Sequence, residues 1–196
     1  DIAQKDSDSD YYPVVIDALR KKIEREIDGR FADGDLEHLA VFGFAPMPVL
    51  MELGRLLSDL SAVSVYGRHR EPTPGWAWPN DREPLEFTCA PGAPGPKKVA
   101  LKISVTAGIT DDRIVQALPD EPVSIWEIRS NRLGASELRR NDDLSRFREL
   151  VGKAFDAIKD QHGMDVNLSV FPAVPACCAI EFGRTWQHKV HPPFSI

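Results

Sequence analysis

The 196-residue chain has no run of eighteen apolar residues, so nothing in it reads as a membrane-spanning helix. It opens without the charged, apolar and small-residue order of a signal peptide. It has no basic excess: 24 Lys and Arg against 30 Asp and Glu leave a net charge of −6. That excludes a broad surface for coating duplex DNA and leaves room for a small anionic ligand in a local basic pocket. Cysteine is scarce. Cys89, Cys177 and Cys178 are odd in number and two are adjacent. This is neither a disulfide framework nor a zinc pattern, and it reads as buried thiols in a reducing cytoplasm. P-loop, dinucleotide and Gly-x-Ser-x-Gly signatures are missing. His188 and His191 have no third ligand type nearby, so neither a metal nor a cofactor is expected. The remaining balance, 42% hydrophobic and 28% charged, is that of a globular protein.

The first ten residues, DIAQKDSDSD, are polar and acidic. They read as a linker from something upstream, and the chain starts at Asp1, not Met. Val15, Leu19, Ile23 and Ile27 predict a helix over 13–28, stopped at Gly29. A strand is expected at 37–42, a helix with Leu50, Leu53, Leu57 and Leu60 on one face, and a strand at 62–66. A long Pro-, Arg- and Trp-rich loop leads to an edge strand at 85–89. APGAPGP (90–96) either tips a hairpin or joins two halves. Val99 to Val105 and 123–128 read as strands, with a short helix from Thr110 to Leu118 between them. A helix from Asp142 or Asp143 to Gly163, a strand at 166–170, a helix from Pro175 to Trp186 and a strand at 194–196 complete the order. Alternating strands and helices predict an α/β fold with a parallel, doubly wound sheet.

Residues 39–55 (LAVFGFAPMPVLMELGR) and 168–184 (LSVFPAVPACCAIEFGR) align without a gap at an offset of 129. Each copy reads as strand, Pro-containing turn and helix, which implies two similar α/β units related by a pseudo-twofold. Gly54 and Gly183 sit inside the helices, where glycine costs about 1 kcal/mol against alanine; close packing of helix on sheet would offset that. Glu52 with Arg55, and Glu181 with Arg184, are spaced for surface ion pairs.

In an open α/β sheet, ligands lie beyond the carboxyl ends of the strands, facing helix N-termini. The candidates are therefore Phe44, Ala45 and Pro46 in one unit, Pro172, Ala173 and Pro175 in the other, and the Thr106-Ala107-Gly108 turn. Ordinary turn chemistry is the competing explanation. Arg68, His69 and Arg70 follow a strand and suit a phosphate clamp, or simply a solvated basic loop. Trp76 and Trp78 suit base stacking, or cover of a neighbouring helix. Arg129 ends a strand and can contact phosphate or a base; Arg132 and Arg139 lie further along the same loop. Trp126 and Trp186 fall in regular elements and read as core.

The repeated V-F-x-x-x-P, the E-L-G-R and E-F-G-R helices, the Y-x-R-H-R…W-x-W segment at 66–78 and H-P-P at 191–193 resemble the SAVED domain. The resemblance implies two fused CARF-like, Rossmann-like units, 11–94 and 95–196, preceded by the 1–10 linker. It implies a bacterial, cytoplasmic anti-phage (CBASS) sensor for a cyclic di- or trinucleotide made by a partner nucleotidyltransferase. It further implies self-association on ligand binding, no membrane, and DNA contact only through a missing effector. The 66–78 segment most resembles sensors fused to HNH endonucleases, with TIR NADase fusions next. The fragment itself is then a ligand-binding domain and not an enzyme. A ring nuclease that cleaves its ligand, and a protein-interaction module, are the competing readings. The ring nuclease lacks an obvious general base, since His69 is the only histidine among the candidates.

Overall fold

Helical backbone starts earlier and runs further than the spacing of apolar residues predicts. The computed structural model describes residues 10–58 and 60–196; apart from Asp10, the expected linker lies outside them. Helix α1 (Tyr11–Ile23) passes through a π-helical turn (Glu24–Asp28) into α2 (Gly29–Ala32). Gly29 does not stop it, because its backbone is right-handed helical (φ −59°, ψ −44°). The turn out of the helix comes at Gly34, whose φ of +76° suits glycine.

Strand β1 (Leu39–Phe42), helix α3 (Met47–Leu56) and strand β2 (Val63–Tyr66) follow. β1 and β2 pair in parallel, with Phe42 opposite Tyr66, and bury Val41 and Val65. A long connection leads to β3 (Phe87–Ala90), β4 (Lys98–Ser104), α4 (Asp111–Ala117) and β5 (Val123–Ser130). Then come α5 (Asn141–His162), β6 (Asn167–Ala173), α6 (Ala176–Thr185) and β7 (Phe194–Ser195). These last five strands form one sheet in the order β3-β5-β4-β6-β7. It is parallel except for β3, which runs antiparallel to β5. The fold is thus α/β with mainly parallel sheets, as expected. The chain goes from β4 to one side and returns to the other, so the topological switch point lies between β4 and β6. Among the described residues, no helix is long and apolar enough to cross a membrane.

APGAPGP makes no hairpin, because β5 lies between β3 and β4. β3 falls within segment 11–94 yet pairs in the second sheet, so the change of sheet comes in the 67–86 connection, before residue 94. Burial explains it. Phe87 sits edge-on to Phe147 of α5 at 5.7 Å, and Leu85 N–H donates to Asp143 at 2.9 Å. Asp143, an acid in the first turn of α5, is thereby a buried staple between that helix and the segment before β3.

The repeat holds in three dimensions. Helices α3 and α6 share both boundaries at the offset of 129, and each has proline as its N-cap. The likeness extends further than the motif: 11–32 and α5 each give 22 helical residues ahead of the repeated strand. At the centre, α3 lies on α6. A methyl group at Gly54 would collide with the Ile180 carbonyl oxygen and sit 2.9 Å from Arg184 N; one at Gly183 would collide with the Met51 carbonyl oxygen and sit 2.9 Å from Arg55 N. Each contact maps onto the other under the offset, the mark of an approximate twofold. The glycines therefore serve helix-on-helix packing, not the helix-on-sheet packing expected. The two ion pairs also differ. Glu181–Arg184 is buried, with Arg184 donating to the Leu60 and Val63 carbonyls, whereas Arg55 beside Glu52 remains half-exposed. Trp126 is core, and Trp186 is half-buried with its indole N–H donating to the Pro192 carbonyl at 2.8 Å.

Candidate functional site

Parallel pairing places the carboxyl ends of β1 and β2 at the same end of their sheet. Helix α3 starts there. So does α6, because Gly67, just beyond β2, lies against Cys177 in the first turn of α6. The two helix N-termini thus open on one side. They are unequal as anion sites. In α3, Pro48 removes a donor and Val49 N–H is already bonded to the Pro46 carbonyl. In α6, Ala179 N–H bonds to the Pro175 carbonyl while no side chain caps the first turn, so its earlier N–H groups point outward.

At the switch point, Val105 and Thr106 N–H both donate to the Ala173 carbonyl at 2.9 and 2.8 Å. Gly134 N–H donates to the Val105 carbonyl at 3.1 Å, which brings in the loop after β5. Arg129 is exposed beside Gly108, 3.3 Å from Glu127, which tempers its charge. Thr106, Gly108, Arg129, Pro172, Ala173 and Pro175 therefore do come together. Beneath them Lys102 bonds to Asp111 (2.5 Å) and Glu127 (3.2 Å). Burial works to lower the Lys102 pKa, but these carboxylates outweigh it and the net shift is upward. The ammonium holds the start of α4 against the sheet.

The connection after β2 spans the two units. His69 and Gly75 exchange backbone hydrogen bonds of 2.8 and 3.0 Å, so 67–69 stays extended. Side chains then alternate: Arg68 and Arg70 are exposed with no ion-pair or hydrogen-bond partner among the described residues, while His69, only 5% exposed, turns inward. The three do not form a clamp. His69 lies edge-on to Trp78 at 5.5 Å, and its Nε2 has no hydrogen-bond partner among the described residues. Burial, followed by the charge of Arg139, holds its pKa below the usual histidine range. Trp78 covers Gly67 and the core next to α6. Trp76 reaches β1 instead, edge-on to Phe42 at 5.2 Å. Phe44 is 80% exposed and Ala45 is exposed, with Pro46 half-buried behind them.

Sequence reasoning undervalued Arg139. It is buried, forms a two-pronged pair with Asp81 and donates to the Glu71 carbonyl at 2.9 Å. It pins the 71–81 stretch across to the start of α5 and, with His69, Pro72, Pro74 and Pro79, lines a cavity of about 330 Å³. A larger apolar cavity of about 390 Å³, lined by Tyr12, Met51, Trp186 and Phe194, lies away from the strand ends. Phe42 and Tyr66 were also missed. Their rings stack at 5.0 Å and 14°; the signal was an aromatic ending each of two paired strands.

A family model described as "SMODS-associated and fused to various effectors sensor domain" matches residues 19–196. The chain belongs to the SAVED family. Two solved structures of the Acinetobacter baumannii Cap4 SAVED/CARF-domain containing receptor are similar in fold. The complex with 3'3'3'-cAAA superposes with a TM-score of 0.64 at 16% identity, covering 98% of this chain and 41% of the other. The complex with 2'3'3'-cAAA gives a TM-score of 0.64 at 12% identity, covering 95% and 40%. The chain thus spans about two fifths of the length of these structures. A comparison with curated proteins finds no match. The SAVED fold here is built on the α3–α6 dyad, with the strand-end loops of both units on its open side.

Proposed function

We propose that this SAVED domain binds a cyclic oligonucleotide, a cyclic di- or trinucleotide, in the crevice beyond the strand ends, and does not hydrolyse it. The observation that carries the reading is the meeting of the switch-point loops (105–108, 129–134 and 173–175) in a domain whose α6 N-terminus, with free N–H groups, opens beside the β2 end. Backbone donors and arginines suit phosphates, and aromatic faces suit bases. The two solved structures of similar fold, each of a receptor with a cyclic trinucleotide, support the same ligand class. A ligand-cleaving reading needs a base near the phosphates, and His69 is turned inward.

In the longer protein, binding activates a linked effector, for which we favour an HNH-type DNA endonuclease, and protomers assemble head to tail. Dissimilar faces on the two units support a repeating contact. The units follow 11–94 and 95–196 in sequence, with β3 lent to the second sheet. The test is a panel of cyclic di- and trinucleotides read by calorimetry and melting temperature, with chromatography of the ligand afterwards. One member should bind, raise the melting temperature by mass action and be recovered intact. Binding to none, or stoichiometric linear product, overturns the reading.

A further inference from the structure

Alternation along a strand sets which side chains share a face. Val41 and Val65 point into the core, so Phe42 and Tyr66 point outward. The extended backbone continues past β2: Gly67 and His69 are buried, which puts Arg68 and Arg70 on the outer face beside Tyr66. One side of the small sheet therefore carries two stacked rings, a third aromatic edge-on to them, and two arginines about 7 Å apart. Phe42 is 52% exposed, and Phe44, two residues on, is more so.

Clustered exposed aromatics mark a binding surface. Arg68 and Arg70 stand two residues apart with no carboxylate partner among the described residues, whereas Arg55, Arg82, Arg129, Arg132, Arg139 and Arg184 each pair with an acid. An aromatic surface beside unpaired guanidinium groups is complementary to a nucleotide, which offers a π-face and a phosphate a few ångströms apart. An apolar protein partner would use the rings and leave the arginines unmatched.

We propose that the outer face of β1–β2 is a subsite for one nucleotide of the ligand, its base extending the Phe42–Tyr66 stack from one end and its phosphate held by Arg68 and Arg70. The inference rests on the sensor reading above and adds a subsite outside the switch-point crevice. Trp76 fixes the Phe42 ring from the side, so the platform is formed before ligand arrives.

The experiment measures dissociation constants of 3'3'3'-cAAA, 2'3'3'-cAAA and a panel of cyclic dinucleotides for the wild-type domain. The same measurement is made on Phe42→Ala, Phe42→Leu, Phe42→Tyr, Tyr66→Ala and Arg68→Gln. Phe42 and Arg68 are exposed and Tyr66 half-buried, and unchanged melting temperatures without ligand confirm that the variants fold. Loss of one base stack should weaken binding about tenfold. The Phe42→Leu variant should lose as much as Phe42→Ala, since a ring and not bulk is needed, and Phe42→Tyr should keep wild-type affinity. Arg68→Gln should also flatten the salt dependence. Wild-type binding with unchanged affinity in the Phe42 and Tyr66 variants overturns the subsite and leaves the sensor reading standing. No binding by the wild type overturns both. A change of ligand-free mass in light scattering, with affinity unaltered, makes the face a protein contact and also overturns the subsite.

Discussion

Substituting alanine at Gly54 tests the central helix pair. In an isolated helix the change stabilises by about 1 kcal/mol. Here the new methyl group meets the Ile180 carbonyl oxygen, with Arg184 N 2.9 Å away. Both are backbone, so no side chain can rotate aside, and α3 and α6 must separate along a buried seam that includes Leu50, Met51 and Ile180. Overpacking of a core costs about 1–3 kcal/mol, and more where backbone must move. Taking roughly 3 kcal/mol for the collision and 1 for the propensity gain, the net loss is about 2 kcal/mol. For a domain of this size that lowers the melting temperature by roughly 4–8 °C. Gly183→Ala should cost a similar amount, because its contacts are the same under the offset. The double variant should cost less than the sum, since helices already parted admit the second methyl more easily. Gly29→Ala is the control: nothing lies within 4 Å of its added methyl group, its backbone is helical, and it should stabilise by up to about 1 kcal/mol. Thermal and urea unfolding followed by circular dichroism measures all four. A Gly54→Ala protein that melts at or above wild type would refute the close-approach argument.

The Glu-x-x-Arg pairs should separate energetically despite equal spacing. Arg184→Met leaves the buried Glu181 with only Arg148, 3.6 Å away, and should cost about 1.5–3 kcal/mol, while Arg55→Met, half-exposed, should cost less than about 1; urea midpoints decide. Arg139→Ala should free the 71–81 stretch, seen as faster tryptic cleavage at Arg70 and Arg82; cleavage at the wild-type rate would show that the Arg139–Asp81 pair does not hold it. His69 and His191 both have pKa values lowered, first by burial. The unfolded chain takes up those protons near pH 6.5 while the folded chain resists them, so their contribution is complete above about pH 6.5 and is lost as pH falls towards the folded values. Wild-type stability should therefore fall between pH 7 and 5, and the His69→Gln, His191→Gln double variant should show a flatter profile; equal slopes would count against this account.

Local pattern carried a good part of this protein. The alternating strands, the proline-capped helices at 47 and 176 and the repeat at an offset of 129 are properties of short stretches, since periodicity and capping act within one element. They were enough for the α/β class, the parallel sheets and the positions of the strand-end turns. Which residues face which could not be read in the same way. β3 belongs to the second sheet because Phe87 finds Phe147 and Leu85 finds Asp143, contacts about sixty residues apart. The mid-helix glycines were visible, but their partner is another helix, brought there only when two distant units close on each other. Arg68, His69 and Arg70 are one basic run in sequence; the extended backbone after β2 sends two outward and one inward, splitting it into a surface pair and a buried ring. Arg139 is one of four arginines in a polar loop until the tertiary fold removes it from water and gives it Asp81. Hydrophobic patterning is a one-dimensional signal, whereas burial of a particular charge or glycine depends on which surfaces meet, and only the packed chain decides that.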